Sequence, residues 1–137
     1  MYLWKNGSVI RLTNDNVLDF GPSLYNGTVA WSNVTKITDV ANYGDVLYWD
    51  SLTTQTIAKD VTVKKGGNGT YVSLYDGQIA WQALNGDDGE LFYYDGMNVS
   101  QVTDNDANDI FPSLYNGTIA WSGYDGAVDH TISMSCG

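Results

Sequence analysis

The chain is poor in the side chains that most protein chemistry uses. It has one cysteine, Cys136, one histidine, His130, one arginine, Arg11, and one glutamate, Glu90. A single cysteine excludes an intrachain disulfide and any cysteine-based zinc site. A single histidine excludes a histidine-rich metal centre. Only 6 basic residues face 16 acidic ones, for a formal charge of −10. Tracking phosphates takes clustered lysine and arginine, so nucleic acid and anionic membrane surfaces are disfavoured as partners. No apolar run approaches the ~18 residues of a transmembrane helix. The start, Met1 to Gly7, lacks a charged segment leading into an apolar stretch, so no signal peptide is expected there. No stretch carries apolar residues at helical spacing over three turns, so essentially no helix is expected.

What is present is repetition. Three segments align without gaps: Pro22-Ser23-Leu24-Tyr25-Asn26-Gly27-Thr28-Val29-Ala30-Trp31, then Val72 to Trp81, then Pro112 to Trp121. Their closing tryptophans are 50 and 40 residues apart. A second set, around Leu3, Leu47 and Leu91, recurs every 44 residues. A third set closes each unit at Ile10-Arg11-Leu12-Thr13, Thr56-Ile57-Ala58-Lys59 and Ser100-Gln101-Val102-Thr103. A period near 44 residues falls in the range of a four-stranded propeller blade. Asn26-Gly27, Asp76-Gly77 and Asn116-Gly117 mark one tight hairpin per unit, and Asn6-Gly7 and Asp95-Gly96 a second. Each unit therefore reads as four antiparallel strands, A to D.

The order along the chain is C-D, A-B-C-D, A-B-C-D, A-B, occupying residues 1–125, followed by a degenerate C-terminal tail at 126–137. The first pair lacks its A-B and the last lacks its C-D. The expected fold is thus all-β, with three propeller blades per chain. Three blades fall short of the usual range of about four to eight, so a homodimer closing a six-bladed ring through shared blades is expected.

Phe111-Pro112-Ser113-Leu114-Tyr115-Asn116-Gly117-Thr118-Ile119-Ala120-Trp121, preceded by Val102-Thr103-Asp104-Asn105-Asp106 and Asp109, resembles the TolB-type propeller repeat. That family has a Leu-Thr, Asn- and Asp-bearing loop, then Pro-x-Trp-Ser-Pro-Asp-Gly and a short Ile-Ala-aromatic strand. The likeness covers residues 1–125. It departs where Leu24, Leu74 and Leu114 replace the inner tryptophan and Tyr-Asn or Tyr-Asp replaces Pro-Asp. The resemblance implies a propeller, often exported or at a surface, that acts as an interaction scaffold or as the non-catalytic partner of an enzyme domain. It carries over no catalytic residue.

Three functional features stand out. Asp104, Asp106 and Asp109 are the densest carboxylates and the place where calcium would sit, although Asp and Asn also build turns without metal. Trp31, Trp81 and Trp121, with Tyr25, Tyr75 and Tyr115, recur in register and are read as packing. Tyr43, Tyr71 and Tyr124 fall outside that register and are the candidates for ligand contact. No nucleophile-base arrangement or held carboxylate pair is marked, so no enzyme activity is expected. The Asn-x-Ser/Thr matches at Asn6, Asn26, Asn33, Asn68, Asn98 and Asn116 mostly coincide with hairpin turns. The glycine-rich Lys64 to Gly69 is read as an inserted loop. A non-enzymatic scaffold or binding module is the leading reading. The alternatives are a lectin-like protein, with or without calcium, and a truncated or designed propeller fragment without selected activity.

Overall fold

The computed structural model describes residues 1–64, 66 and 69–124, and the backbone alone of 129–135. The strands are β1 (Tyr2–Lys5), β2 (Ser8–Arg11), β3 (Leu18–Tyr25), β4 (Thr28–Val34), β5 (Lys36–Ile37), β6 (Ala41–Trp49) and β7 (Thr54–Lys64). They continue as β8 (Val72–Tyr75), β9 (Gln78–Asn85), β10 (Asp88–Tyr94), β11 (Val99–Gln101), β12 (Asn108–Tyr115), β13 (Thr118–Tyr124) and β14 (Asp129–Ser135). No helix occurs among the described residues.

All pairing is antiparallel and falls into four sheets. β1 and β2 pair alone, and β8-β9-β10-β11 forms a complete four-stranded sheet. The sheet β3-β4-β6 is completed by β7 on β6, with the short β5 also on β6. β12-β13-β14 is the last. β14, drawn from the tail segment, pairs with β13 over Thr118↔Ser135 to Tyr124↔Asp129, where the repeat left strand C open. The remaining tail residues, and Lys65, Gly67 and Asn68 of the inserted loop, lie outside the described residues.

The hairpins form for the reason the dipeptides suggested. At Asn6-Gly7, Asn26-Gly27, Asp76-Gly77 and Asn116-Gly117 both residues have positive φ, from 43° to 81°, as a two-residue type I′ turn requires. Asp95-Gly96 departs from that pattern. Its carboxylate Oδ1 accepts the N–H of Met97 and of Asn98, each at 2.7 Å, giving a wider Asx-type turn. Asp50 closes the corresponding loop one sheet earlier, taking the N–H of Leu52 and of Thr53 at 2.8 Å.

The core lies between sheets. Trp81 packs with Val46, Val61, Val72 and Ile79, joining the two four-stranded units. Trp121 packs with Ala80, Leu91, Leu114 and Ile119 one sheet further on. Trp31 packs with Leu3 and Val29, which fastens the β1-β2 pair to the next sheet. β4 and β9 are buried on both faces through most of their length because a sheet lies on each side. Gly44 shows how closely the strands approach: a Cβ there would stand 1.7 Å from the Asn33 carbonyl oxygen.

The packing reading holds for Tyr25 and Tyr75, which pack against the core clusters, and needs correction at Tyr115. Tyr25, Tyr75 and Tyr115 form a row of tilted rings, each pair of centroids 4.6 Å apart, with Tyr25 and Tyr75 half-buried and Tyr115 exposed. They lie at a sheet end beside the hairpin turns, so only their flanks are covered. A hydrogen bond to Tyr25, desolvation and the Tyr25 charge hold the Tyr75 phenol above its usual 10.0.

Two outcomes are expected from this architecture. Trp81→Ala removes a buried indole from the joint between two sheets and should cost ~3–5 kcal/mol in chemical denaturation. The backbone N–H bonds hold the Asp50 and Asp95 carboxyls below the ordinary aspartate value of 3.8. Both contributions to stability are therefore complete above that value and lost as pH falls through the lowered folded-state values. Carbon-detected NMR titration should place both midpoints below 3.8; a midpoint at or above it contradicts the turn geometry.

Candidate functional site

A cleft of about 390 Å³ opens at the end of β3, β8 and β12 opposite the tyrosine row. Its border is a second aromatic row. Phe20 and Tyr71 meet edge to face at 5.1 Å and 68°, and Tyr71 and Phe111 at 5.1 Å and 67°. Gly69 and Gly89 also line the cleft. A Cβ on Gly69 would come within 2.7 Å of Ser32 Oγ and 2.9 Å of Phe20 Cβ, so this position must stay small.

Phe111 sits in a costly conformation. Its φ is +56°, a region that bulky L-residues avoid, and it precedes Pro112 where the β12-β13 register shifts. Gly21 has φ +57° before Pro22 at the matching shift between β3 and β4. The fold thus demands a left-handed residue at this bulge. At Phe111 the Gln82 carboxamide oxygen accepts its N–H at 2.7 Å, which helps hold the strained turn.

The polar lining is made of amides. Gln82 Oε1 is committed to Phe111, and Asn108 Oδ1 accepts the Gly89 N–H at 2.8 Å. No hydrogen bond from either amide nitrogen is seen among the described residues. Lys64 and Tyr71 are the only titratable side chains among the described lining residues. That lining offers rings, amide donors and one ammonium, and no carboxylate.

Of the three tyrosines singled out in the sequence, only Tyr71 lines this cleft. It falls outside the tyrosine register yet belongs to a repeated row: Tyr71 and Phe111 each precede their tryptophan by 10 residues, and Phe20 by 11. Tyr43 is half-buried on β6 under the Lys36 ammonium, 5.3 Å from the ring centroid. Tyr124 ends β13 opposite Asn108 and is exposed. The structure does not bring the three together.

Nor does it gather Asp104, Asp106 and Asp109 around a cation. Asp104 and Asp106 are exposed, whereas Asp109 is fully buried. Its Oδ1 accepts the Trp121 indole N–H at 2.9 Å and its Oδ2 the Asn105 amide at 2.8 Å, so both oxygens are spent on protein donors. No group of three potential metal ligands converges among the described residues. The surrounding loop instead uses turn chemistry, with Asn105 Oδ1 taking the Ala107 N–H at 2.6 Å.

Sequence reasoning missed this aspartate–tryptophan lock. Asp19 makes the same contact with Trp31 at 2.9 Å, and also accepts from Thr13 at 2.6 Å and from the Met1 ammonium. The signal was a constant separation of 12 residues, present in two repeats and absent at Gly69 in the third. Glu90, the lone glutamate, is also structural: it is buried, bonded to Thr103 Oγ1 and to the Asn105 N–H at 3.0 Å. His130 falls on β14, where only the backbone is described.

Asp109→Asn would set an amide N–H against the Asn105 amide or the indole. It should cost about 1–3 kcal/mol, the price of an unsatisfied buried donor, and equally in calcium and in chelator. A wild-type melting temperature that rises with calcium would restore the metal reading.

No protein-family model matches the chain, and no curated protein matches it in sequence. Among solved structures it is similar to the β-propeller domain of the Trilobed protease from Pyrococcus furiosus, which has an open velcro topology. The TM-score is 0.68 at 12% identity, and the match covers 93% of this chain and 42% of that one. At that identity the likeness bears on the fold alone. With the antiparallel sheets and the absence of helix among the described residues, it establishes an all-β, propeller-like fold.

Proposed function

We propose that the chain is a non-enzymatic binding module of three TolB-type propeller blades, which joins a second copy in a six-bladed ring and takes its ligand in the Tyr71 cleft. The observation that carries the ligand reading is the row Phe20, Tyr71 and Phe111, with Phe111 held at φ +56° beside a cleft whose described lining has no carboxylate. Strained residues persist where the surroundings over-determine them, and they concentrate at ligand sites. Acid–base catalysis needs a positioned titratable pair, and the two fully buried carboxylates among the described residues, Glu90 and Asp109, are occupied by protein donors. The TolB assignment is supported by the spacing of Asp109, Pro112 and Trp121.

One observation favours a carbohydrate as the ligand. Tyr71 and Phe111 are exposed aromatic faces, and the Gln82 and Asn108 amide nitrogens beside them suit hydroxyl acceptors. Calorimetric titration with mono- and oligosaccharides, with and without calcium, tests this directly. Tyr71→Ala should weaken binding on the order of tenfold, the equivalent of one aromatic contact, while melting changes little. Equal affinity in the variant would remove the cleft from the proposal, and turnover of a bound oligosaccharide would overturn the non-enzymatic reading.

A further inference from the structure

One sheet-to-sheet contact is made twice within the chain, and its two unused halves are exposed at opposite ends. Ser23 Oγ on β3 accepts the Leu74 N–H of β8 at 3.0 Å, and Ser73 Oγ on β8 accepts the Leu114 N–H of β12 at 2.8 Å. Beside each bond the tyrosine rings follow at 4.6 Å. The next members of the series would be Ser113 as acceptor and Leu24 as donor. Ser113 and Tyr115 are exposed on β12, with no described sheet beyond them. Leu24 is 63% exposed, while the equivalent Leu74 and Leu114 are 5% and 6% exposed because a sheet precedes each of them.

What Leu24 lacks can be read from its counterpart. Leu114 is covered in a cluster with Ala80 of β9 and Leu91 of β10. Around Trp31 the counterpart of Leu91 is present, as Leu3 of β1, but nothing stands in the place of β9. β1 pairs only with β2, so its other edge is open.

Resting on the assembly reading above, we propose that the β12-β13 pair of a second copy fills that place. The partner's Ser113 accepts the Leu24 N–H, the partner's Tyr115 extends the ring row to Tyr25, and Leu24 is covered. β1 then pairs with the partner's β13 along the edge that β14 holds in the single chain. β1 is fixed by Leu3 in the Trp31 cluster, so β14 is the strand that gives way.

The test is disulfide trapping of the whole chain in a Cys136→Ser background. Leu24→Cys/Ser113→Cys should yield covalent dimer under mild oxidation, because the equivalent positions 23 and 74 are within a hydrogen bond of each other. Each single substitution should yield far less. Light scattering of the wild-type chain runs alongside. A dimer that never links position 24 to 113, or that links 24 to 24 or 113 to 113 instead, overturns this seam and leaves the assembly reading standing; a chain that stays monomeric at about 100 µM overturns both. In the linked dimer, amide exchange over 129–135 should be faster than in the unlinked chain diluted until it is monomeric. Unchanged protection there overturns the strand replacement.

Discussion

The structure depends on the indole wedged between neighbouring sheets. A flat antiparallel sheet of four short strands cannot bury enough surface alone, so each must use the next as its second layer. Trp31, Trp81 and Trp121 fill those joints. A buried indole brings an N–H that must find an acceptor, and at two joints the acceptor is a carboxylate at the second position of the sheet's first strand, Asp19 of β3 or Asp109 of β12. The lock therefore does two things at once. It satisfies the indole, and it ties the start of one sheet's first strand to that sheet's second strand. Asn105, bonded to both Asp109 and Glu90, carries the tie back to the preceding sheet.

This dependence explains which parts of the sequence were legible. The dipeptide turns and the tryptophan register are local or strictly periodic; the tryptophans and four of the five dipeptides appear in the structure as read, and Asp95-Gly96 forms a wider turn instead. Asp104, Asp106 and Asp109 looked alike on the page, but burial separates them. One is turned inward onto an indole 12 residues away, and that pairing follows from the hairpin bringing β12 back along β13. The metal reading counted carboxylates along the chain, and coordination depends on where their oxygens point.

The aromatic row at the cleft was hidden for a different reason. Bulges at Gly21-Pro22 and Phe111-Pro112 shift the register, while no shift occurs between β8 and β9. At these matching bulges the left-handed position holds Gly21 in β3 and Phe111 in β12, so the ring that joins the row in β3 is Phe20, one residue earlier. Phe20 and Tyr71 are 51 residues apart where their tryptophans are 50 apart, whereas Tyr71 and Phe111 keep the 40-residue spacing of theirs, so the row is in register at two of its three members. The tail was illegible because β14 fills the place of strand C without that strand's Leu-aromatic signature. Backbone pairing needs only an extended segment and an open edge.

The two ends of the innermost strands thus carry different chemistry on one scaffold. At the hairpin end, three tyrosine rings follow one another at 4.6 Å, and the Tyr25 side chain with desolvation holds the middle phenol above its usual value. At the opposite end the bulges break the ladder and open space. A glycine at position 111 would suit φ +56° without strain, as Gly21 does at +57°. A phenylalanine there costs of order 1–3 kcal/mol and gives back one ring contact with Tyr71. Such a contact is worth about 0.5–1.5 kcal/mol beyond area burial, so on an exposed ring it offsets only part of the strain. The side chain at 111 thus contributes little net stability, and its exposed ring borders the cleft.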